Sequence, residues 1–193
     1  MPEPWKPSVT VAAVIERDGH FLLVEEQTPA GVRLNQPAGH LDPGESLLTA
    51  AARETLEETA FSFTPRQLIG VYLWRSAPPR GSAATYLRFA FTGDLGAFDP
   101  ERPLDDGILR ALWLSPGEIA ARAAEHRSPL VQRCIDDYLR GHRYPLDLLF
   151  AHPSALNPVE ASTGLCAVAQ AEAGAQVRLA ADRVPASAGA TGK

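Results

Sequence analysis

Glu54, Glu57 and Glu58 stand at positions i, i+3 and i+4 of one short stretch. In a helix of about 3.6 residues per turn, that spacing places three carboxylates on one face. Like charges this close raise one another's pKa values, so the arrangement is costly without a cation. Hard oxygen donors suit Mg²⁺, with Mn²⁺ as the other candidate. An ion held this way is a Lewis acid and lowers the pKa of bound water. Arg53, four residues before Glu57, is spaced to clamp that carboxylate.

These residues need a helix entered from a tight loop. Asp42, Pro43 and Gly44 are turn formers, and Ser46 is a capping residue for the helix that follows. Leu48, Ala52, Thr55, Leu56 and Thr59 form a modest core-facing stripe, expected opposite the glutamates. Before the loop, Val9 to Ile15 and Phe21 to Val24 read as a β-hairpin about the turn Arg17-Asp18-Gly19. Gln27 to Gly31 reads as a loop, and Leu34 to Ala38 as a short extended segment in which Pro37 keeps Gln36 out of the helical region. After the helix, Ile69 to Arg75 and Ala84 to Thr92 read as strands joined by the Pro/Gly/Ser-rich loop Ser76 to Ser82, and Ile108 to Leu114 as another strand. Ser115, Pro116 and Glu118 make a capping box opening a helix to about Glu125. Ser128 and Pro129 open the next, with Gly141 as its C-cap.

At 193 residues the chain supports one domain with a proper core. The expected division is a domain over 1–150 and an Ala/Gly/Ser/Pro-rich tail over 151–193, mostly disordered, with transient helix around Leu165 to Leu179. A formal net charge of −5 argues against a broad basic surface and stable nucleic-acid binding. Cys134 and Cys166 are far apart and in no metal-ligand spacing, which suits a reducing compartment. The start lacks the apolar core of a signal peptide, and no apolar run is long enough to span a bilayer. The expectation is a cytoplasmic protein, monomer or homodimer, without a membrane partner.

The full pattern, G-x5-E-x7-R-E-U-x-E-E-x-G-U with U a bulky aliphatic residue, is met by Gly39, Glu45, Arg53, Glu54, Glu57 and Glu58. It resembles the Nudix box. Thr55 stands where the pattern has a bulky aliphatic residue, and Ala60 replaces the second glycine, where a left-handed residue would end the helix; alanine there costs roughly 1 kcal/mol. The flanks N-Q-P-A-G-H-L-D, L-R-F-A-F at Leu87 to Phe91, R-S-P-L-V at Arg127 to Val131 and R-Y-P-L at Arg143 to Leu146 are similar to the NudJ-like phosphatases of that superfamily, a likeness spanning about Ser8 to Leu149. The resemblance implies an α/β (α+β) Nudix fold, a mixed β-sheet sandwiched between helices with a loop–helix–loop motif. It implies divalent-metal-dependent hydrolysis of phosphoanhydrides in nucleoside tri- and diphosphates or a small pyrophosphate such as hydroxymethylpyrimidine pyrophosphate. It assigns metal binding to Glu54, Glu57 and Glu58, with the Gly39 carbonyl assisting.

Other roles stay open in the sequence. Glu45 either supports the loop and metal shell or is a plain N-terminal helix charge. The general base is Glu54 within the box or an acid beyond it, Asp106 or Asp105, with Glu101 behind them. Arg88, flanked by Leu87 and Phe89, is either a substrate contact in a polar cleft or an edge-strand salt bridge. Arg33 and His40 are further substrate-binding candidates, against surface solvation and a structural hydrogen bond respectively. Trp74, Tyr86 and Phe89 read as core in preference to base stacking. Two rival functions are a non-catalytic Nudix-fold sensor and an RNA 5′-pyrophosphohydrolase. The intact glutamates count against the first and the acidic balance against the second.

Overall fold

β1 (Ser8–Ala13) is packed on both faces, and its residues alternate between two cores. Ala12 and the following Val14 face one; Val11, Ala13 and Ile15 face the other. A strand this apolar belongs inside a layered α/β arrangement, and the computed structural model, which describes residues 4–76 and 83–163, shows how.

The remaining elements are β2 (Glu16–Arg17), β3 (His20–Thr28), β4 (Gly31–Asn35), β5 (Ala38–His40), α1 (Leu47–Thr59), β6 (Phe61–Arg75), β7 (Thr85–Phe98), β8 (Ile108–Leu114), α2 (Pro116–Ala121), α3 (Leu130–Leu139) and α4 (Pro158–Thr163). One sheet runs β5-β1-β7-β6, with β1 and β7 parallel and the other pairs antiparallel. A second sheet centres on β3, paired with β2, β4 and β8. The core that includes Val131, Cys134 and Ile135 lies against α3; the core that includes Ala50 and Ala51 lies against α1. This is the mixed sheet between helices that the resemblance implies.

The structure alters several local expectations. The hairpin forms only at its tip, Glu16–Arg17 against His20–Phe21, because β1 itself pairs with β5 and β7 in the other sheet. The loop expected at Gln27 to Gly31 is mostly strand. β6 and β7 are far longer than their apolar runs, because the fifteen-residue β6 runs along β7 through three register shifts. The helix opened by the Ser115 box stops at Ala121, and a 3₁₀ turn covers Ala123–Glu125. Ala60 does adopt the left-handed conformation, with φ 59°, and closes α1 through its N–H to the Leu56 carbonyl. In the stretch read as tail, Pro153–Ala155 and α4 carry regular structure, and Leu156, Asn157 and Glu160 find partners on the loop before α1. Residues 164–193, including the helix expected at Leu165 to Leu179, lie outside the described residues, as does most of the loop after Ser76.

Candidate active site

Asp42 to Glu45 form a type II turn: the Glu45 N–H reaches the Asp42 carbonyl at 3.2 Å, and Gly44 takes φ 88°. Ser46 then caps α1, its hydroxyl accepting from the Thr49 N–H at 3.1 Å. The helix presents its acids differently from the simple spacing. Glu54 and Glu58 are buried beside Thr55 and Thr59, whereas the Glu57 side chain keeps 31% of its exposure. The buried residues of α1 are Ala50, Ala51, Glu54, Thr55, Glu58 and Thr59, so the stripe expected opposite the glutamates is corrected; Ala52 and Leu56 are only partly buried. The reason is what faces the helix: the edge strand β5, which offers polar backbone. Glu58 Oε2 accepts the Ala38 N–H at 2.8 Å.

The register of β5 decides which backbone groups the carboxylates meet. Ala13 N–H bonds the Pro37 carbonyl and Leu41 N–H the Val9 carbonyl, so Gly39 pairs directly with Val11 and turns its carbonyl to β1. Ala38 and His40 turn theirs toward α1. The Gly39 carbonyl assigned by resemblance therefore faces away from the glutamates. Glycine there lets the Glu54 carboxylate lie against β5, in the space an added Cβ would occupy.

Arg53 organises the cluster. Its Nε and Nη2 fork onto Glu45 at 2.6 and 2.9 Å, Nη2 also donates to the His40 carbonyl at 3.0 Å, and Nη1 donates to Glu54 at 2.8 Å and Glu57 at 3.0 Å. Glu45 is thus the anchor of the guanidinium. Burial works to raise its pKa, but Arg53 and the Asp42 N–H outweigh burial and hold it low. Glu54 and Glu58 lean the other way. Burial pushes the Glu58 carboxyl up to about 9; the Ala38 N–H opposes this, and the charges of Glu54, Glu26 and Asp105 add to it. Burial also raises Glu54, against Arg53, with Glu57 and Asp105 contributing. Among the described residues no three acidic, histidine or cysteine side chains converge as a ready cage for an ion. Arg53 holds oxygens of Glu54 and Glu57, and Glu58 is turned to β5. A divalent cation nevertheless fits this donor set: buried, mutually repelling carboxylates are what a hard cation stabilises.

Beside the cluster, strand register lines up Tyr72, Arg88, Thr10 and His40 across one sheet face. Arg88 lies on an interior strand, which removes the edge-strand salt bridge. It is buried, its Nε and Nη1 have no hydrogen-bond partner, and burial lowers its pKa while Cys134, Glu26 and Glu58 oppose that. Along the same face, Trp74 and Tyr86 stack with ring centroids 5.7 Å apart, both half-buried, and His40 lies 6.3 Å from Tyr86. Of the three aromatics read as core, Phe89 alone packs against it.

Asp105 comes to the cluster: its N–H bonds the Glu57 carbonyl at 2.9 Å, and its charge bears on Glu54 and Glu58. Asp105 and the neighbouring Asp106 are both exposed, but among the described residues no bond joins Asp106 to the glutamates, and the Glu101 N–H bonds Asp99. Arg33 is not brought in; its Nη1 turns back to the Val32 carbonyl at 3.0 Å. Glu26, which the sequence reading passed over, sits near both Arg88 and Glu58, with Arg127 at 3.4 Å. Its signal was an acid in an apolar strand run, Phe21 to Glu26.

The layered fold with a carboxylate-bearing loop–helix at one sheet edge defines a class of hydrolase, and residues 4–134 match the NUDIX domain family. The chain belongs to the Nudix family and is a Nudix hydrolase. It is 43% identical over 145 residues to the protein named Phosphatase NudJ from Escherichia coli (strain K12), covering 75% of this chain and 92% of that relative. The same figures hold for Phosphatase NudJ of Shigella boydii serotype 4. A solved NUDIX hydrolase from Nitrosomonas europaea shares 55% identity with a TM-score of 0.73, covering 77% of this chain and 99% of the other. Among the described residues, no helix is long and apolar enough to cross a membrane.

Proposed function

We propose that this Nudix hydrolase is a Mg²⁺-dependent enzyme, with Mn²⁺ as an alternative ion, that cleaves phosphoanhydride bonds of nucleoside tri- or diphosphates or of a small pyrophosphate such as hydroxymethylpyrimidine pyrophosphate. The observation that carries this reading is the pair of buried, mutually repelling carboxylates, Glu54 and Glu58, beside a guanidinium anchored on a third acid. Glu54, Glu57 and Glu58 would hold the ion. The Ala38 carbonyl, which the β5 register turns to the same side as its N–H, takes the part first given to Gly39. The bound cation supplies Lewis acidity toward phosphoryl oxygens and acidifies water.

The chain's own residues do the rest. Arg53 keeps Glu54 and Glu57 in place through one nitrogen while Glu45 fixes the other two. Asp105 replaces Asp106 as the outer acid, setting the charge over the carboxylates. Arg88, with two N–H groups unpartnered, receives phosphoryl oxygen. Tyr86 and Trp74 offer a flat surface to the leaving group's ring.

Phosphate release from nucleotides and hydroxymethylpyrimidine pyrophosphate, followed by phosphorus NMR with Mg²⁺, tests the reading. Glu57→Gln should lower kcat/KM by about 100-fold or more. Unchanged activity in that variant rejects the metal role. A triphosphorylated RNA outcompeting every small substrate rejects the substrate class.

A further inference from the structure

We infer that the segment from Leu156 to Thr163 is a strap that sets the cation affinity of the site, with Glu160 as its positioning residue. The NUDIX match ends at residue 134, so the strap lies beyond it. The chain returns from α3 along the α1 side, burying Leu146 in that core. Leu156 then bridges to Gly44 in parallel, and the Asn157 N–H donates to the Gly44 carbonyl at 2.8 Å. The Asn157 side chain accepts the Glu160 N–H at 2.9 Å, and Glu160 Oε2 accepts the Ser46 N–H at 2.8 Å. Gly44 marks how close the approach is: a Cβ there would stand 3.3 Å from the Asn157 side chain.

The strap thus grips both sides of Glu45, at Gly44 and at Ser46. Glu45 is the residue that takes Nε and Nη2 of Arg53. With Glu45 fixed, only Nη1 remains for Glu54 and Glu57. Loosening the turn lets the guanidinium swing fully onto those carboxylates, where it competes with a divalent cation for the same oxygens. The carboxylate of Glu160 also stands at the N-terminus of α1, adding a favourable charge to the same end of the helix.

This inference rests on the proposed metal role, and the experiment separates the two. Mn²⁺ binding to the full-length, substrate-free protein is measured by electron paramagnetic resonance for the parent, Glu160→Ala and Glu160→Gln, alongside Mg²⁺ activation curves and KM at saturating Mg²⁺. Glu160 is only partly buried, so both variants should fold, and thermal melts verify it. Glu160→Ala should weaken Mn²⁺ binding roughly 3- to 10-fold and raise the half-activating Mg²⁺ concentration in step, leaving KM unchanged. Glu160→Gln, which keeps an oxygen for the Ser46 N–H, should recover most of the affinity. A parent that binds Mn²⁺ and a Glu160→Ala variant that binds it equally well overturn the strap alone. A parent that binds no Mn²⁺ overturns the metal role and the strap together.

Discussion

Two buried acid clusters sit on opposite helices, and they are balanced in opposite ways. On α3, Asp137 accepts from Arg133 at 2.7 Å, Arg140 at 3.0 Å and the Tyr72 hydroxyl at 3.1 Å, with His142 Nδ1 at 3.6 Å. Burial works to raise this carboxyl, yet Arg133, Tyr72 and Arg140 overcome it and hold the pKa below the usual aspartate value. On α1, burial prevails: Glu54 and Glu58 are raised, and the nearest guanidinium gives Glu54 one nitrogen, shared with Glu57, while its other two bond Glu45. A structural acid is surrounded by enough cations; the site at α1 is left short of positive charge. Under the proposed metal role the shortfall matters, because a fully paired carboxylate has no oxygen to offer a cation.

The contrast breaks most sharply at Arg53. Arg53→Lys keeps the charge but cannot fork onto Glu45 while reaching Glu54 and Glu57, and kcat should fall by roughly 10- to 100-fold in steady-state assays. A lysine variant with parental kcat would show that charge alone suffices there. Arg88 sharpens the comparison, because it is a buried cation without the partners that Arg133 and Arg140 enjoy. Arg88→Met should raise KM about tenfold through the loss of one charged contact while leaving the melting temperature equal or higher, since an unpaired buried charge is removed. A variant that melts earlier and keeps its KM would make Arg88 a structural residue.

Asp137→Asn is the counterpart on α3 and should touch stability without touching KM. At neutral pH it should cost about 1–3 kcal/mol, read by denaturant unfolding. The sign with pH follows from the lowered pKa. The stabilisation from Asp137 is fully present above the unfolded aspartate value, about 3.9, and is lost as pH falls through the lower folded value. The gap between parent and variant should therefore close in acid. A gap that stays constant down to low pH would remove the charge from the explanation.

The sequence determined the Nudix motif and much of its scaffold. The turn Asp42 to Glu45, the Ser46 cap, the Ser115 capping box and the C-terminal glycine of α3 depend on local backbone preferences, and local preferences are written in consecutive residues. The i, i+3, i+4 spacing likewise announced a carboxylate cluster and its arginine. Register and burial were decided only in three dimensions. Which carbonyl of β5 faces α1 depends on pairing with β1, and a shift of one residue reverses it. That Asp105 rather than Asp106 meets the cluster depends on one backbone bond to Glu57. Arg88 stands in the row with Tyr72, Thr10 and His40 because β7 lies between β1 and β6. Glu160 reaches Ser46 across 114 positions of chain, and a contact so distant in sequence leaves no periodic trace for a reader of the residues alone.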